Sequence, residues 1–505
     1  MEFTTVLLIG VVAYWAFCIL VGVVTFGKTK SPADYFVAGR TLGPFVVALA
    51  MLATVQSAWM MMGHQGLEAV AGLPYVVYYI HIPLMGLFAL FFFAPQWLLG
   101  KKFGFISPGE MFGSYYGDLT RILMVVLGVM YVVPYMAMQL IGGGTIFEVL
   151  TKGQVPYLAG ALLMATVVVI YIFLGGLRAA AITDTFQGIL LVLGVFCLAG
   201  VVLANLPGGL IGFLEGIKQL PREWRLMPGA GGAWPWQYVL TFAIAPIGIF
   251  TSPIYTMWAF SSKTPRVFRW QMFIVWAGIA GFYYFILSPI IGGGGRMLFG
   301  LLPKTDALTP TVLMLAPPLL ALIIAIAVFA AMNSTADAYM AVISAILSRD
   351  VFKHFLKRDA TPSQEVLFGR LMVIVVVAIG MGFALTTTDV ISLIGGLASA
   401  FGLQTIPALL GIVYWRRLTP AGVNAGLVAG LIGVFLTYSV WKYPFMIHCG
   451  VWGLAANFVV AYVVSLFTAP VPKETQDKFH STLREAQQVY RERLARGTLA
   501  LRFRG

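Results

Sequence analysis

The chain of 505 residues is 60% hydrophobic and only 10% charged. A water-soluble domain of this size could not bury so much apolar surface, so part of that surface must face lipid. The net charge of +13 is spread over short loops and a basic C-terminal tail, which disfavours a nucleic-acid partner. The tail is expected either to contact anionic membrane lipid or to be a solvated, partly disordered end. The three cysteines lie far apart in the sequence and predict neither a disulfide nor a metal site.

Thirteen apolar segments are long enough to cross a bilayer, because a hydrocarbon core of about 30 Å needs roughly 20 helical residues. They are long unbroken runs and not the short alternating strands of a membrane β-barrel. The sequence therefore predicts an all-α integral membrane protein. In chain order the predicted spans are 3–27, 43–72, 74–100, 119–151, 156–174, 178–204, 235–260, 267–294, 318–349, 365–386, 388–414, 420–441 and 447–468.

Lysine and arginine set the predicted orientation, because the cytoplasmic loops of membrane proteins carry an excess of both. With the N-terminus outside, the predicted cytoplasmic loops and the C-terminal tail hold most of these residues. The prediction is a multi-pass protein of the plasma (cell inner) membrane with a cytoplasmic C-terminus. An even number of helices would place one end of the chain on the wrong side.

Two predicted spans, the second and the seventh, are interrupted by polar, glycine or proline residues. The interrupting residues are Thr54, Gln56 and Ser57, then Pro246, Gly248 and Pro253. Interrupted helices at corresponding places in two halves are typical of transporters built from inverted repeats. We therefore predict an N-terminal helix and loop at 1–42, a first repeat of five helices at 43–204, an extracellular loop at 205–234, a second repeat of five helices at 235–414, two further helices at 415–468 and a basic cytoplasmic tail at 469–505.

The ninth span carries a polar stretch, "FAAMNSTADAYM", in the middle of an apolar helix. Ala331, Ser334 and Thr335 stand three and four residues apart, so they share one helix face. Two hydroxyls and a carbonyl on this face, with free carbonyls from the unwound second span, suit a small hard cation such as Na⁺. The alternative is that the hydroxyls hydrogen-bond back to the preceding helical turn. The further polar residues beside them favour the cation site.

Three separated motifs resemble those of the sodium:solute symporter family. They are "GRTLG" before the second span, "GGLRAAAITDTFQ" at Gly175–Gln187 and "MNSTADAYMAVISAILSRDVF" at Met332–Phe352. The resemblance covers roughly residues 5 to 470 and implies the leucine-transporter-type fold, a 5+5 inverted repeat with one helix before it and two after it. It also implies a sodium site made of the carbonyls of Ala53, Gln56 and Ala331 and the hydroxyls of Ser334 and Thr335.

The same resemblance implicates two carboxylates. Asp184 matches the family's aspartate at the start of the sixth span, which lies on the inward ion path and in some members helps form a second sodium site. Asp184, Ser334 and Asp337 are the residues expected to form such a site here. Val55 stands where the proline symporters have aspartate, which argues against proline as the solute.

In this family the solute lies between the broken spans and the fourth and eleventh helices. For Trp59 and Trp258 the alternative role is packing between helices. For Gln139 of the fourth helix the alternative role is a hydrogen bond that bridges two helices. The segment "MAMQLIGGGTIFEVL" resembles the pantothenate and monocarboxylate branch. No arginine lies in the core of these spans, so half-helix N-termini and amides would hold a carboxylate. The solute-binding candidates are Gln56, Ser57, Trp59, Gln139, Thr251, Tyr255, Trp258 and Gln404.

Together these features predict a sodium-coupled secondary active symporter that imports a small organic solute, interpreted as a monocarboxylate-like metabolite, by alternating access. No obligate protein partner is expected. The alternatives are proton coupling through Asp184 or Asp337 and a transporter-like membrane sensor. A membrane enzyme is disfavoured, because the sequence shows no motif for a nucleophile, a metal or phosphate binding. The five histidines show no metal-ligand spacing and are expected in structural or surface positions.

Overall fold

The structure, a computed structural model, describes residues 3–495 as helices joined by turns. The end of the predicted basic tail, 496–505, lies outside the described residues. The helices of the first half are α1 (Phe3–Phe26), α2 (Pro32–Val37), α3 (Pro44–Val55), α4 (His64–Ala71), α5 (His81–Phe103), α6 (Pro108–Tyr116), α7 (Asp118–Leu150), α8 (Tyr157–Asn205), α9 (Gly209–Gln219) and α10 (Arg222–Arg225).

The second half continues in the same manner. Its helices are α11 (Trp236–Ile244), α12 (Ile247–Thr251), α13 (Pro253–Ser261), α14 (Trp270–Phe273), α15 (Ser288–Phe299), α16 (Leu308–Leu313), α17 (Pro318–Ile346), α18 (Pro362–Thr386), α19 (Ile391–Leu403), α20 (Ile406–Val413), α21 (Pro420–Phe435), α22 (Cys449–Phe467) and α23 (Lys473–Ala495). Short 3₁₀-helical turns lie at Ala38–Arg40, Leu73–Ile80, Ala230–Gly232, Pro265–Phe268, Thr305–Ala307 and Pro444–Met446, and π-helical segments at Trp59–Gly63, Ile274–Ala280, Tyr283–Leu287, Leu347–Leu356 and Leu436–Val440.

Ten of the described helices are long and apolar enough to cross a membrane, and there are twelve spans if each of two bent helix pairs counts as one. One pair is Pro44–Val55 with Trp59–Ala71, bent by 52°, and the other is Trp236–Thr251 with Pro253–Ser261, bent by 43°. These pairs are the second and seventh predicted spans, so the prediction that both are interrupted is confirmed. The chain is an all-helical, multi-pass membrane protein.

α8 covers both the fifth and the sixth predicted spans. Its 49 residues are too many for one crossing of a hydrocarbon core about 30 Å thick. The helix is interrupted at Gly176, where φ is 56° and ψ is −150°, a conformation that only glycine adopts without strain. A Cβ atom at this position would collide with the carbonyl oxygen of Tyr35. The predicted total of thirteen membrane helices requires the two halves of α8 to cross separately, and that total stays a prediction.

The break in the second span is held open by two side chains. After α3, Gln56 has ψ of 81°, outside the helical region. Ser57 Oγ then accepts a hydrogen bond from the backbone N–H of Trp59 at 3.1 Å, and Gln139 Oε1 accepts one from the backbone N–H of Ala58 at 2.9 Å. These bonds satisfy amides at the start of the second half that have no partner within the helix.

α17 lies at the centre of the protein, in contact with α1, α3, α7 and α8. Every residue from Ala327 to Ile346 is buried, so this part of the helix faces other helices on all sides. Polar side chains within it must therefore pair with protein groups or line an internal site. Since α1 packs against both α8 and α17, the helix that precedes the predicted repeats also reaches this core.

The C-terminal helices pack against each other and against the rest of the protein. α21 and α22 pack against each other, and α23 packs against α5. The buried ring of Phe479 on α23 lies 4.9 Å from that of Phe103 between centroids, and Tyr115 Oη lies 3.0 Å from His480 Nε2. The predicted basic tail therefore begins as a helix that is attached to the rest of the protein.

Candidate functional site

The predicted ion-binding face of α17 contacts the broken end of α3. Ser334 Oγ donates to the carbonyl oxygen of Ala53 at 2.9 Å, and Thr335 Oγ1 donates to the carbonyl oxygen of Thr54 at 2.9 Å. Both hydroxyl oxygens also lie 3.1 Å from the carbonyl oxygen of Ala331. Each hydroxyl therefore makes both the hydrogen bond to the preceding turn of its own helix and a hydrogen bond to the other helix. Oxygen atoms from two helices meet at one place.

Four of the five residues predicted to bind sodium are thus joined by hydrogen bonds. The fifth, Gln56, directly follows α3, and its side-chain Oε1 accepts a hydrogen bond from Tyr284 Oη at 3.0 Å. Thr54 joins the set although sequence analysis did not assign its carbonyl oxygen to it. A broken helix frees several carbonyl oxygens, and only the packing of the neighbouring helix decides which of them face the hydroxyls.

The chemistry of this oxygen cluster fits a small hard cation. Backbone carbonyls and hydroxyls are the oxygen ligands that such cations prefer, and all the contributing residues are buried. The carbonyls of Ala53 and Thr54 belong to the last turn of α3, where the helix dipole is negative and favours a positive charge. No carboxylate takes part in these hydrogen bonds, so a monovalent ion would be held without a strong fixed charge.

The two predicted carboxylates lie next to each other at the interface of α8 and α17. Asp337 Oδ2 accepts hydrogen bonds from Tyr171 Oη at 2.8 Å and from Thr183 Oγ1 at 3.4 Å. Its other oxygen and both oxygens of Asp184 lack a hydrogen-bond partner among the described residues, although both side chains are fully buried. Asp184 interacts electrostatically with Asp337 and neighbours Thr54. Burying unpaired carboxylates is costly, so this pocket suits a bound cation or proton.

An amide–tyrosine chain extends the carboxylate pocket to α1. Gln187 Nε2 and Asn333 Nδ2 donate to Tyr14 Oη at 2.6 Å and 3.4 Å. The side-chain oxygens of both amides have no partner within the described part of the chain. The hydroxyl of Ser334, the third predicted member of a second sodium site, instead donates to the carbonyls of the first site. The described contacts therefore join Asp184 and Asp337 but not Ser334.

Three predicted solute ligands, Gln56, Ser57 and Gln139, are engaged near the helix break. Gln56 accepts from Tyr284 and Ser57 from a backbone amide. Gln139 accepts from the N–H of Ala58 and donates to the carbonyl oxygen of Tyr135 at 2.8 Å. This is the bridging role that sequence analysis kept as its alternative.

The remaining predicted solute ligands, apart from Trp59, hold helices together or pack between them. Thr251 donates to a carbonyl oxygen of α19 at 2.7 Å, and Tyr255 donates to a carbonyl oxygen of α3 at 3.0 Å. Gln404 faces α22, where Asn457 Nδ2 donates to its carbonyl oxygen at 2.8 Å. Trp258 is fully buried, and its indole nitrogen has no partner among the described residues.

A small cavity lies at the break in the second span. Its volume is about 10 Å³, enough for about one water molecule, so the side chains around the break are packed closely. Of the predicted solute ligands, only Trp59 lines it. The lining residues are Val55, Trp59, Met60, His64, Tyr78, His81, Met85, Tyr135, Pro246, Ile249 and Tyr284.

Two histidines of this cavity were expected only in structural or surface positions. His64 and His81 are 3% and 4% exposed. The Nδ1 atom of His64 lies 2.8 Å from Tyr75 Oη, and that of His81 lies 2.8 Å from the carbonyl oxygen of Tyr78. The physical argument that identified the polar stretch of the ninth span, that ionisable groups inside spans are costly, applies equally to these histidines. It would have pointed to both of them.

A wider cleft of about 450 Å³ lies on the other side of Gln56, between α3, α8 and the π-helical segments Ile274–Ala280 and Tyr283–Leu287. Its lining is almost entirely apolar, and Phe196 and Phe282 at its edge are half exposed. The hydroxyl of Tyr283 donates to the carbonyl oxygen of Met60 in the broken span at 3.3 Å. In a membrane protein such a surface faces lipid and is not a polar solute site.

Comparison with known proteins identifies relatives along most of the chain. The model of the sodium:solute symporter family matches residues 35–430. The sodium/proline symporter of Staphylococcus aureus (strain JH9) is 25% identical over 508 residues, covering 96% of each chain. The corresponding protein of Staphylococcus aureus (strain bovine RF122 / ET3-1) is 25% identical over 510 residues, again with 96% of each chain covered.

Solved structures show the same fold. A Na⁺-coupled sialic acid symporter in a substrate-bound, outward-open state aligns with a TM-score of 0.78 at 17% identity, covering 93% of this chain and 99% of that one. MHP1, a nucleobase-cation-symport-1 family transporter, aligns with a TM-score of 0.55 at 16% identity, covering 89% and 98%. These neighbours have the leucine-transporter-type fold that the resemblance implied. Since the family model covers most of the sequence, this chain belongs to the sodium:solute symporter family, and Na⁺ is its coupling ion.

Proposed function

We propose that this protein imports a small organic solute, interpreted as a monocarboxylate-like metabolite, together with Na⁺ by alternating access. Family membership carries the general activity, sodium-coupled solute symport. The individual solute, the ion-binding residues and the orientation in the membrane belong to the proposal. In this orientation the N-terminus is outside, the C-terminus is cytoplasmic and two inverted repeats, 43–204 and 235–414, surround the transport path.

The contact of α17 with the broken end of α3 carries the proposal. The carbonyl oxygens of Ala53 and Thr54 and the hydroxyls of Ser334 and Thr335 are joined at 2.9 Å across the two helices. A sodium ion that bridges these oxygens would bind the broken span to α17. Its release would free the two helices to separate, which is how ion binding can bias a conformational equilibrium.

A second ion would occupy the pocket between Asp184 and Asp337. The unpaired oxygens of both carboxylates support this assignment, because a buried negative charge needs a cation, a proton or a donor. If Na⁺ binds there as well, one solute would travel with two sodium ions. The amide oxygens of Gln187 and Asn333 lie in the same buried region and have no partner among the described residues.

The solute would bind at the break, where Trp59 lines the small cavity, once the helices around it separate far enough to admit the solute. The cavity adjoins the end of α3, where the carbonyls of the sodium site lie. A solute and an ion that bind on two sides of one broken helix would both stabilise the same arrangement of its halves. This provides a physical route for coupling, since each ligand would then increase the affinity for the other.

The proposal is tested with the purified full chain in proteoliposomes. An inward Na⁺ gradient should drive accumulation of a radiolabelled solute from a panel of small carboxylates, amino acids and sugars. An equal K⁺ gradient should not drive this accumulation. If no member of the panel accumulates under the Na⁺ gradient, the proposed transport activity is wrong.

Transport of a proton in addition to Na⁺ is a second candidate, and the buried pair of Asp184 and Asp337 is the observation that favours it. A proton on one carboxyl would relieve the repulsion between two like charges in a buried site. Imposing a pH gradient together with a fixed Na⁺ gradient in the same vesicles separates the two candidates. Accumulation that increases with the pH gradient would favour a transported proton at the second ion site, and accumulation that does not respond to it would favour sodium alone.

A further inference from the structure

Glu68 lies on α4, the second half of the broken second span, and its carboxyl is enclosed by neighbouring helices. The residue is 2% exposed. Glu68 Oε1 lies 2.7 Å from Tyr79 Oη, and Glu68 Oε2 lies 3.0 Å from Ser288 Oγ. The two hydroxyl oxygens also lie 3.0 Å from each other. Since Tyr79 precedes α5 and Ser288 begins α15, three elements meet in one closed ring of oxygen–oxygen contacts.

The number of hydrogens in this ring depends on the charge of Glu68. Each contact needs one hydrogen to be a hydrogen bond, and the two hydroxyls supply one hydrogen each. A carboxylate supplies none, so one pair of oxygens would face each other at hydrogen-bonding distance without a hydrogen between them. A carboxylic acid supplies the third hydrogen. Glu68 Oε2 then donates to Ser288, Ser288 donates to Tyr79, and Tyr79 donates to Glu68 Oε1, so every contact in the ring is a hydrogen bond.

No positive charge pairs with Glu68. None of the ion pairs among the described residues includes it. Arg296 lies on α15, which packs against α4, but its Nη1 donates to the carbonyl oxygen of Ala69 at 2.8 Å. A Cβ atom added at Gly292 would lie 2.6 Å from Glu68 Oε2, so α15 packs directly on the carboxyl and leaves no space for a metal ion on that side. A buried carboxylate without a cation is costly, and a proton removes this cost.

The other ionisable side chains around α4 offer no counter-charge either. His64, one helical turn before Glu68, lies with its Nδ1 2.8 Å from Tyr75 Oη. Asp306 lies in a turn that packs against α4 and would repel a second negative charge. The ionisable side chains of α4 and of the elements packed against it, together with the neighbouring Tyr283, are His64, Glu68, Tyr75, Tyr78, Tyr79, Tyr283, Arg296 and Asp306.

We propose that Glu68 is a proton-binding site: it carries a proton at neutral pH, and the resulting ring of hydrogen bonds joins α4 to α15. The site is separate from both proposed ion sites and does not depend on which solute is transported. Loss of the proton would leave a carboxylate that needs water or a cation at Oε2. Because Gly292 leaves no space there, α4 and α15 would have to move apart. The contact between the broken span and α15 is therefore sensitive to pH.

Infrared spectroscopy of the full chain in lipid vesicles tests the protonation state directly, because a protonated carboxyl absorbs apart from carboxylates and its band shifts in heavy water. At neutral pH the wild type should show such a band, and Glu68→Gln should lose the part of it that belongs to Glu68. Glu365→Gln is the matched control and should leave the band unchanged. Glu365 is also 2% exposed, but it pairs with Arg349 and Lys353 and is therefore a carboxylate. A band of equal intensity in wild type and Glu68→Gln would overturn the proposal.

Thermal unfolding in detergent gives a second measurement whose sign decides. Glutamine keeps the ring complete, since its Oε1 can accept from Tyr79 and its Nε2 can donate to Ser288. At about pH 4 the wild type and Glu68→Gln should therefore unfold at similar temperatures. Glutamate in an unfolded chain ionises near pH 4, whereas the folded protein keeps the proton. The unfolding temperature of the wild type should therefore fall relative to that of Glu68→Gln as the pH rises from about 5 to 8. A difference that stays constant, or that changes in favour of the wild type, would show that the folded protein does not hold this proton and would overturn the proposal.

Discussion

The hydroxyl oxygen of Ser334 lies 2.9 Å from the carbonyl oxygen of Ala53 and 3.1 Å from that of Ala331. One side chain thus joins the helix at the centre of the protein to the unwound part of another helix. Either contact alone would be an ordinary structural hydrogen bond. Together with the parallel pair of contacts made by Thr335, they form a cluster of oxygen ligands between two elements that can separate.

The first prediction concerns these hydroxyls. Ser334→Ala and Thr335→Ala should each raise the half-saturating Na⁺ concentration for solute uptake at least several-fold, because a lost polar ligand costs roughly 1–3 kcal/mol. Ser344→Ala is the matched control, since Ser344 is buried on the same helix but donates only to the carbonyl oxygen of Ala341 at 2.8 Å. Sodium dependence that is unchanged in both site variants would rule out the proposed ion site.

The second prediction separates the two carboxylates. Asp337→Asn should lower the number of sodium ions transported per solute, while the hydroxyl site still supports uptake. Asp184→Asn should reduce transport more strongly, because Asp184 has no hydrogen-bond partner among the described residues that could compensate. The measurement is the reversal potential, or the ratio of ²²Na⁺ flux to solute flux, in proteoliposomes.

Asp389→Asn serves as the control for the second prediction, because Asp389 accepts from Tyr438 away from both ion sites. A flux ratio that is the same in wild type and in Asp337→Asn would remove the second sodium ion. In that case Asp337 would be a protonated group whose Oδ2 accepts from Tyr171 and Thr183.

Much of the proposed ion site could be predicted from the sequence, because helical periodicity alone places Ala331, Ser334 and Thr335 on one face. The interruption after α3 was also visible, since polar residues disrupt an otherwise apolar span. The carbonyl of Thr54 could not be chosen over its neighbours, because that choice depends on how far α17 is shifted along α3.

The proposed solute site was less predictable, because it too depends on how the helices pack against each other. Gln404 and Gln139 are polar groups inside spans, which the sequence correctly marked as unusual. Whether such a side chain faces a cavity or a neighbouring helix depends on partners far along the chain, such as Asn457 for Gln404. For His81 the sequence analysis failed in the opposite way. It expected only a structural or surface position, because an isolated histidine forms no motif, whereas packing places His81 beside the cavity.

The third prediction tests orientation. In a variant without the three native cysteines, a single cysteine introduced near Met1 should react with a membrane-impermeant maleimide added outside intact cells. A single cysteine near Arg496 should react only after the membrane is permeabilised, because the positive-inside rule places the basic tail in the cytoplasm. Labelling of both positions from the same side would show that the predicted number of membrane helices is wrong.

The fourth prediction concerns the break in α8. Gly176→Ala should destabilise the protein by more than about 1 kcal/mol, because an alanine disfavours the positive φ of 56° and its Cβ would collide with the carbonyl oxygen of Tyr35. Gly200→Ala on the same helix is the control, since an added Cβ meets no atom within 4 Å and alanine is the better helix former. Equal thermal unfolding temperatures of the two variants in detergent would show that the break does not require glycine.

The last prediction is a pH dependence that originates outside the membrane spans, at Asp306. The backbone N–H of Ile391, the first residue of α19, donates to Asp306 Oδ2 at 3.1 Å. Burial raises the pKa of this carboxyl from its ordinary value to about 6, although the N–H of Ile391 and the charge of Lys304 act in the opposite direction. If the carboxyl becomes hydrated when α19 moves away during opening, its pKa returns to about 4. The closed conformation then binds the proton more tightly, so it gains stability as the pH falls through about 6 and loses that gain as the pH rises again.

Uptake at a fixed Na⁺ gradient should therefore decrease between about pH 7 and pH 5, the range in which Asp306 becomes protonated in the closed conformation. Asp306→Asn resembles the protonated carboxyl and keeps an oxygen that can accept from Ile391. Uptake by this variant should therefore stay near the rate that the wild type shows at acidic pH and should vary less with pH. Glu215→Gln, at an exposed carboxylate of α9, should retain the wild-type profile. If Asp306→Asn shows the same profile as wild type, the pH dependence originates elsewhere in the protein. Opening of α19 would then proceed without exposing this carboxyl to water.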